Sequence, residues 1–252
     1  CKRIIRGQRI QIRKGINRID TRTTGGLCGL LKRKLICVYK AMITFCLISC
    51  ERPDLLEITL DSFLKFNTAK IEKYIVSEDS AVRMVELENK YPFIEFKYND
   101  TGKRYGMMGN LQKAYSFAET EYIFSCEEDW EFYREGFIEK SLAILQAQKN
   151  ILQVWLRELN DTNGHPIESP FITIGDIDCH YVTTGYMGCF HGYSTNPSLK
   201  RKCDVVDFSK IIEGATNNGE DLVSQYYFDK GFRAVILNSG YVKHIGYNRT
   251  VI

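Results

Sequence analysis

Cys126-Glu127-Glu128-Asp129-Trp130-Glu131-Phe132 is the stretch on which the reading of this chain turns. It follows a short apolar run, Tyr122-Ile123-Phe124, of the kind that forms a buried strand. Three acids, Glu127, Glu128 and Asp129, therefore fall where a strand gives way to a loop. Ligands of an open α/β sheet collect outside the carboxyl ends of its strands. An acidic cluster there can hold a hard divalent cation through one or two carboxylates and leave the other positions to water and substrate phosphates. The plainer alternative is a solvated acidic turn, and the rest of the chain decides between them.

Upstream of the acids, strands and helices alternate. Ile43-Thr44-Phe45-Cys46-Leu47-Ile48 is a continuous apolar run, as in strands buried on both faces. Arg52-Pro53 then opens a helix over 54–66, with Leu56, Leu60, Phe63 and Leu64 at helical spacing and Pro53 near the first turn, where its missing N–H costs nothing. Lys73–Val76 reads as a second strand, 80–90 as a helix, Phe93–Tyr98 as a third strand and 108–119 as a helix. Tyr122–Cys126 is the fourth strand, and a helix follows over 134–148. This order calls for a parallel sheet with right-handed crossovers. Beyond it, strands are expected at Ile151–Leu156, Cys179–Thr184, 233–237 and 241–245, with a helix over 220–230. The expected fold is α/β: a mostly parallel nucleotide-type half over 42–130 and a smaller mixed-sheet half over 131–252, joined as a single domain.

Composition narrows the classes. A hydrophobic content of 44% in 252 residues supports a sizeable core. No uncharged apolar run approaches the ~20 residues that span a bilayer. The nine cysteines are scattered and odd in number, with no Cys-x-x-Cys pair. That fits a reducing, cytoplasmic setting better than a disulfide framework or a zinc site. Residues 1–40 carry 12 Lys/Arg against one acid, and the remainder carries 22 against 30. Residues 1–41 read as a basic tail or linker outside the fold, able to touch an anionic membrane surface peripherally. Met42 reads as the natural start of the folded unit, and the tail is no argument for a nucleic-acid partner.

Four polar clusters follow the four strands: Ser49-Cys50-Glu51-Arg52, Ser77-Glu78-Asp79-Ser80, Thr101-Gly102-Lys103-Arg104-Tyr105-Gly106 and Glu127-Glu128-Asp129. Four parallel strands ending this way describe a site at one rim. Arg52, Lys103 and Arg104 supply cations for a diphosphate, Asp79 could accept a hydrogen bond from a base edge, and the last acids could hold the metal that bridges the diphosphate. Neither a Gly-x-x-x-x-Gly-Lys-Ser/Thr loop nor a Gly-x-Gly-x-x-Gly turn is present, which argues against P-loop and dinucleotide folds.

The series Thr44 to Pro53, Ile75 to Asp79, Gly106 to Asn110 and Glu127-Glu128-Asp129 resembles the nucleotide-sugar half of GT-A glycosyltransferases. It is similar both to the inverting family-two type and to the N-acetylglucosaminyltransferase I type, whose metal motif is Glu-Asp-Asp. The resemblance covers about residues 43–250. It implies Mn²⁺ or Mg²⁺, a nucleoside-diphosphate sugar donor, and a glycan, protein or lipid acceptor for a hexosyl or N-acetylhexosaminyl group. Carried over by position, Ser49, Glu51, Arg52, Lys103, Arg104 and Asn110 belong to the donor site, with Arg52 on the diphosphate. Glu127 would touch the ribose, Glu128 the donor sugar, and Asp129 would ligate the metal. Glu128 departs from the middle Asp of the motif, and Ser77-Glu78-Asp79 departs from the commoner Asp-Asp pair, so either Glu78 or Asp79 could meet the base.

In the second half, Gly219-Glu220-Asp221 resembles the Glu-Asp element that supplies the catalytic base in inverting members. A carboxylate beside an acceptor hydroxyl can take its proton as that oxygen attacks the anomeric carbon. Asp221 is the expected base and Glu220 its competitor; an acid that merely complements the helix dipole is the plainer alternative. Val242-Lys243-His244 resembles the late His that completes the metal shell. His165, His180 and His191 read as ordinary polar residues, and Trp130 as either an acceptor-pocket wall or core. Ser194 to Ser198 with Lys200-Arg201-Lys202 resembles a donor-side loop, or three cations facing water. A sugar nucleotidyltransferase is the nearest rival, but its Gly-rich loop after strand one is missing. A non-catalytic carbohydrate-binding protein on a degenerate fold is the second.

Overall fold

The computed structural model describes residues 41–215 and 219–247, so the basic segment 1–40 lies outside the described residues. In chain order the first elements are β1 (Ile43–Ser49), α1 (Pro53–Phe66), β2 (Lys73–Glu78), α2 (Val85–Lys90), β3 (Ile94–Tyr98) and α3 (Gly106–Ser116). Next come β4 (Tyr122–Glu127), β5 (Trp130–Phe132), α4 (Phe137–Ala147), β6 (Ile151–Trp155), β7 (Ile172–Ile174) and β8 (Ile177–Tyr181). The last are β9 (Ser198–Arg201), α5 (Glu220–Asp229), β10 (Arg233–Leu237) and β11 (Val242–His244).

A five-stranded sheet runs in the order β3-β2-β1-β4-β9, parallel except for β9, which lies antiparallel to β4. The second sheet is mixed, in the order β6-β10-β8-β7, and β11 pairs with β5 in a two-stranded ribbon. β1 is buried along its whole length at the centre of the first sheet. Its register sets Ile48 beside Ser77 and Glu127, and Ser49 beside Glu78. The polar strand ends are thereby brought to one edge, as the βαβ order requires.

α1 buries Leu55, Leu56, Leu60 and Phe63 against that sheet. Phe63 stands 4.1 Å from Phe45 and 5.2 Å from Phe132, ring centre to ring centre, in an aromatic core. On the same face, the Thr59 hydroxyl donates to the Glu128 carbonyl at 2.6 Å and accepts from the Trp130 amide at 3.2 Å. α1 thus pins the backbone of the acidic turn as well as packing the core.

Three helices depart from the expected boundaries: α4 begins at Phe137 rather than 134, and α2 and α3 differ for visible local reasons. α2 is six residues long, not the span 80–90. The Ser80 hydroxyl bonds the Glu78 carboxylate and accepts from the Val82 amide, a side-chain turn that competes with helix. α3 starts at Gly106, two residues early, because the Asp79 carboxylate accepts from the amides of Tyr105 and Gly106, both at 2.9 Å. An acid from a neighbouring strand end therefore caps the helix, meeting amide donors that a helix start leaves unpaired.

β5, β7 and β9 were not expected. β9 also corrects the reading of Lys200 as a cation facing water, while Lys202 is exposed and Ser194, Thr195 and Asn196 lie in the turn before the strand. Lys200 is 2% exposed, and the Arg201 guanidinium donates to the carbonyls of Leu145 at 2.7 Å and Lys149 at 2.8 Å. Lys202 reaches the Ala118 carbonyl. These cations hold the sheet edge to its surroundings. Because β9 follows residue 131 in the chain yet completes the first sheet, the sheet runs across the expected division at 130. No helix among the described residues is long and apolar enough to cross a membrane.

Candidate active site

Two cavities open at the carboxyl edge of the parallel strands. The first, about 420 Å³, is lined by Ser49, Arg52, Asp79, Arg104, Asn110 and the acids 127–129. The second, about 380 Å³, is walled by Trp130, Trp155, Arg157, His165, Tyr193, Thr195 and Glu220. Met107, Glu127 and His244 line both, so the cavities are two lobes of one cleft.

The first lobe is organised around Arg52. Its guanidinium lies 2.7 Å from Glu128 Oε1 and 3.1 Å from Asp129 Oδ2. β11 brings His244 to the same carboxylate, Nε2 standing 3.4 Å from Asp129 Oδ2. Asp129 Oδ1 and His244 Nδ1 are buried and have no hydrogen-bond partner among the described residues. The three adjacent acids do not ionise alike. Burial pushes Glu127 up to about 8, helped by Asp129, Glu220 and Glu128. Burial also lifts Glu128 to about 7, against the pull of Arg52. At Asp129 burial works in the same direction, but the hydrogen bond from His244 and the charge of Arg52 outweigh it and hold the carboxyl below its ordinary value. Asp129 is therefore the acid of the three that keeps its charge near neutrality.

That donor set suits a divalent cation only in part from the protein. Asp129 and His244 offer one carboxylate and one imidazole. No group of three His, Cys, Asp or Glu side chains among the described residues is arranged to hold a metal. This fits a hard cation that takes its remaining ligands from water and phosphate oxygens, and not a closed structural site. Gly246 keeps the carboxylate in place: a Cβ there would lie 2.2 Å from Asp129 Oδ2, while the Ile245 amide fixes the backbone to the Asp129 carbonyl at 2.9 Å. Gly246→Ala is expected to destabilise the fold by about 1–3 kcal/mol, the usual cost of overpacking. Thermal denaturation reads it, and an unchanged melting temperature would show that the carboxylate is free to move.

Other residues named from the sequence fall into different places. Asn110 is buried, its amide donating to the carbonyls of Ser77 at 2.9 Å and Ser49 at 3.3 Å, and it lines the first lobe. Glu78 accepts from the Glu51 amide at 2.9 Å and does not line the lobe, so of the two candidates for a base edge it is Asp79 that does. Glu51 pairs with Arg104 at 2.9 Å, an exposed contact at the mouth. Lys103 is exposed and lines neither lobe, so it does not join Arg52 and Arg104. Glu220 lines the second lobe and accepts from the Thr195 amide at 3.0 Å; Asp221, one residue on, lines neither. The expected order of these two acids is thereby reversed in the geometry.

The second lobe holds most of what sequence reasoning missed. Trp155 donates through Nε1 to the Gly192 carbonyl at 2.9 Å. The Arg157 guanidinium is held by Asp161 at 2.8 Å and Asn163 at 3.1 Å and lies 5.1 Å from the Trp130 ring. Arg157 had a legible signal, a lone cation just past the apolar strand β6. The aromatic wall had none, since it comes from loops without a periodic pattern. Trp130 is at once core and wall: it is buried and lines the lobe. His165, set aside as ordinary, is in the wall too, its Nε2 2.7 Å from the Thr183 carbonyl and its pKa lowered by burial. His191 stacks on Phe228 at 4.0 Å outside the lobe.

Solved structures of S. aureus TarS, a glycosyltransferase, superpose on this architecture. The TarS 1–349 structure matches with a TM-score of 0.52 at 13% identity, covering 80% of this chain and 59% of that one. The fold shared with TarS is mixed α/β with a parallel-rich central sheet. The same TarS fragment in complex with UDP gives a TM-score of 0.53 at 15% identity, again over 80% and 59% of the two chains. A longer TarS structure gives 0.53 at 15%, covering 80% of this chain and 36% of that one. This chain thus spans less than two thirds of each TarS chain, and at such identities the likeness is one of fold. No protein-family model and no curated protein sequence matches the chain.

Proposed function

We propose that this protein is a metal-dependent glycosyltransferase that moves a hexosyl or N-acetylhexosaminyl group from a nucleoside-diphosphate sugar to an acceptor hydroxyl, with inversion. The observation that carries the reading is the pair of lobes meeting at Glu127 and His244 on the strand-end edge of a glycosyltransferase fold. The first lobe has the chemistry of a diphosphate site: Arg52 and Arg104 are cations with forked donors, and Asp129 with His244 would hold Mn²⁺ or Mg²⁺. When bound, the cation supplies positive charge beside the departing diphosphate. The UDP seen in one TarS structure supports a nucleoside-diphosphate donor.

In the second lobe, Glu220 replaces Asp221 as the proposed base. Its carboxylate takes the proton of the acceptor hydroxyl as that oxygen forms its bond to the anomeric carbon. The bond to the diphosphate oxygen breaks with the electron pair on the leaving group. Burial raises Glu220, and the Thr195 amide works against that rise, which makes the carboxylate a stronger base than an exposed one.

Thermal shift with nucleotide sugars, with and without Mn²⁺, followed by donor hydrolysis, tests the reading. A Mn²⁺-dependent shift with sugar release supports it. Pyrophosphate release from a nucleoside triphosphate and a sugar phosphate would point instead to a nucleotidyltransferase. Sugar binding without turnover would point to a carbohydrate-binding protein.

A further inference from the structure

Lys200 is the most deeply buried cation among the described residues, and the mechanism above does not use it. It sits on β9, across from Ile123 of β4 in register, at 2% exposure. Its ammonium donates to the Ser125 hydroxyl at 2.9 Å and to the Ser198 hydroxyl at 2.6 Å. Both partners are neutral. An ammonium so placed is expensive unless opposite charge lies within reach. The carboxylates whose fields act on it are Glu220 and Glu127, in that order.

The connection to Glu220 is also covalent and hydrogen-bonded. Ser198 donates onward to the Asn196 carbonyl at 3.0 Å, and Asn196 in turn donates from its amide to Ser194 Oγ. Between them, the Thr195 amide is the donor that holds Glu220 Oε1. Tyr193, which lines the second lobe, places its ring 5.9 Å from the ammonium. Lys200 therefore stands behind the wall that carries Glu220, with no surface in either lobe.

We infer that Lys200 is a positioning residue that favours the ionised form of Glu220: a buried counter-charge, delivered by β9, that acts on the carboxylate without touching substrate. The inference rests on the reading of Glu220 as the base. Other groups facing Glu220 are Asp221 on its own helix, Glu127 from β4, and Ser194 with the Thr195 amide from the turn before β9. Arg157, His165 and His244 line the same lobe, and Lys200 adds its positive charge from behind the wall. Burial pushes its pKa down to about 7, so the ammonium persists below neutrality, where a carboxylate gains or loses its proton.

The test uses the full chain with Lys200→Gln, which keeps a donor for the two serines and removes the charge, and Lys200→Met, which removes both. The Glu220 carboxyl is titrated by carbon NMR of glutamate-labelled protein, its signal assigned with Glu220→Gln. Both substitutions are expected to raise its proton affinity, moving the midpoint of its titration upward. The acid limb of the kcat profile should move up by the same amount while KM for the donor stays constant. Lost stability with an unmoved titration curve would overturn the inference and leave Lys200 a packing residue. A shifted curve in a protein that transfers no sugar would overturn the base reading and leave the coupling supported. If neither variant folds, the wild type decides. Coupled groups titrate together, so the Glu220 signal must respond as the Lys200 ammonium deprotonates, and a Glu220 signal unresponsive there overturns the inference.

Discussion

Replacing Asp129 by alanine is expected to abolish the Mn²⁺ dependence of nucleoside-diphosphate binding while the chain stays folded. Asp129 is the acid of the turn that burial fails to neutralise, and it carries the buried oxygen without a partner. Losing an outer hydrogen-bond partner of a metal ligand costs roughly 10–100-fold in affinity, so losing the ligand itself should cost at least that. Folding should survive because Arg52 is not stranded. It keeps Glu128, whose Oε1 accepts from both its Nε and its Nη2. The loss in stability is about 1–3 kcal/mol, the scale of one charge-assisted hydrogen bond. Calorimetric titration with and without Mn²⁺ measures it. Equal metal-dependent affinity in wild type and variant would remove Asp129 from the metal site.

Glu220→Gln should lower sugar transfer by a factor on the order of 10²–10⁴, the usual contribution of a general base, with donor affinity nearly unchanged. Glutamine keeps an oxygen for the Thr195 amide, so the wall should hold its shape while the proton acceptor disappears. Asp221→Asn should leave transfer close to wild type, because that side chain lines neither lobe. A crippled Asp221→Asn beside an active Glu220→Gln would return the role to Asp221. Two active variants would argue against a single displacement, and the anomeric configuration of the product would then report retention.

The parallel half of the fold was legible because its strands are buried on both faces and so read as unbroken apolar runs, as Ile43–Ile48 does. The strand-end site followed from the same pattern, since polarity begins where burial ends. The order of Glu220 and Asp221 was not legible. Adjacent helix residues point about 100° apart, and only the rotation of α5 against the turn before β9 decides which one meets the cavity. β9 itself was hidden because Ser198-Leu199-Lys200-Arg201 looks like a surface segment. Its burial depends on partners more than seventy residues away in β4, which no local pattern encodes. Asp79 was legible as a candidate site residue and lines the first lobe, yet its hold on the start of α3 was not legible, because that contact joins two loops across the rim.

β9 also bears on how the cleft can move. β4 delivers the acids on one side of the cleft, and β9, two residues beyond the turn that grips Glu220, is hydrogen-bonded along it. The two lobes are therefore riveted to adjacent rungs of one ladder, and neither can swing as a body without breaking sheet hydrogen bonds. Any closure over substrates falls to the surface segments, such as the turn at 185–188, where Gly185, Met187 and Gly188 all have positive φ and Met187 is exposed at the edge of the second lobe. Cutting the chain near 130 would not free two working halves. It would leave β4 with a bare apolar edge, an invitation to pair with the wrong strand.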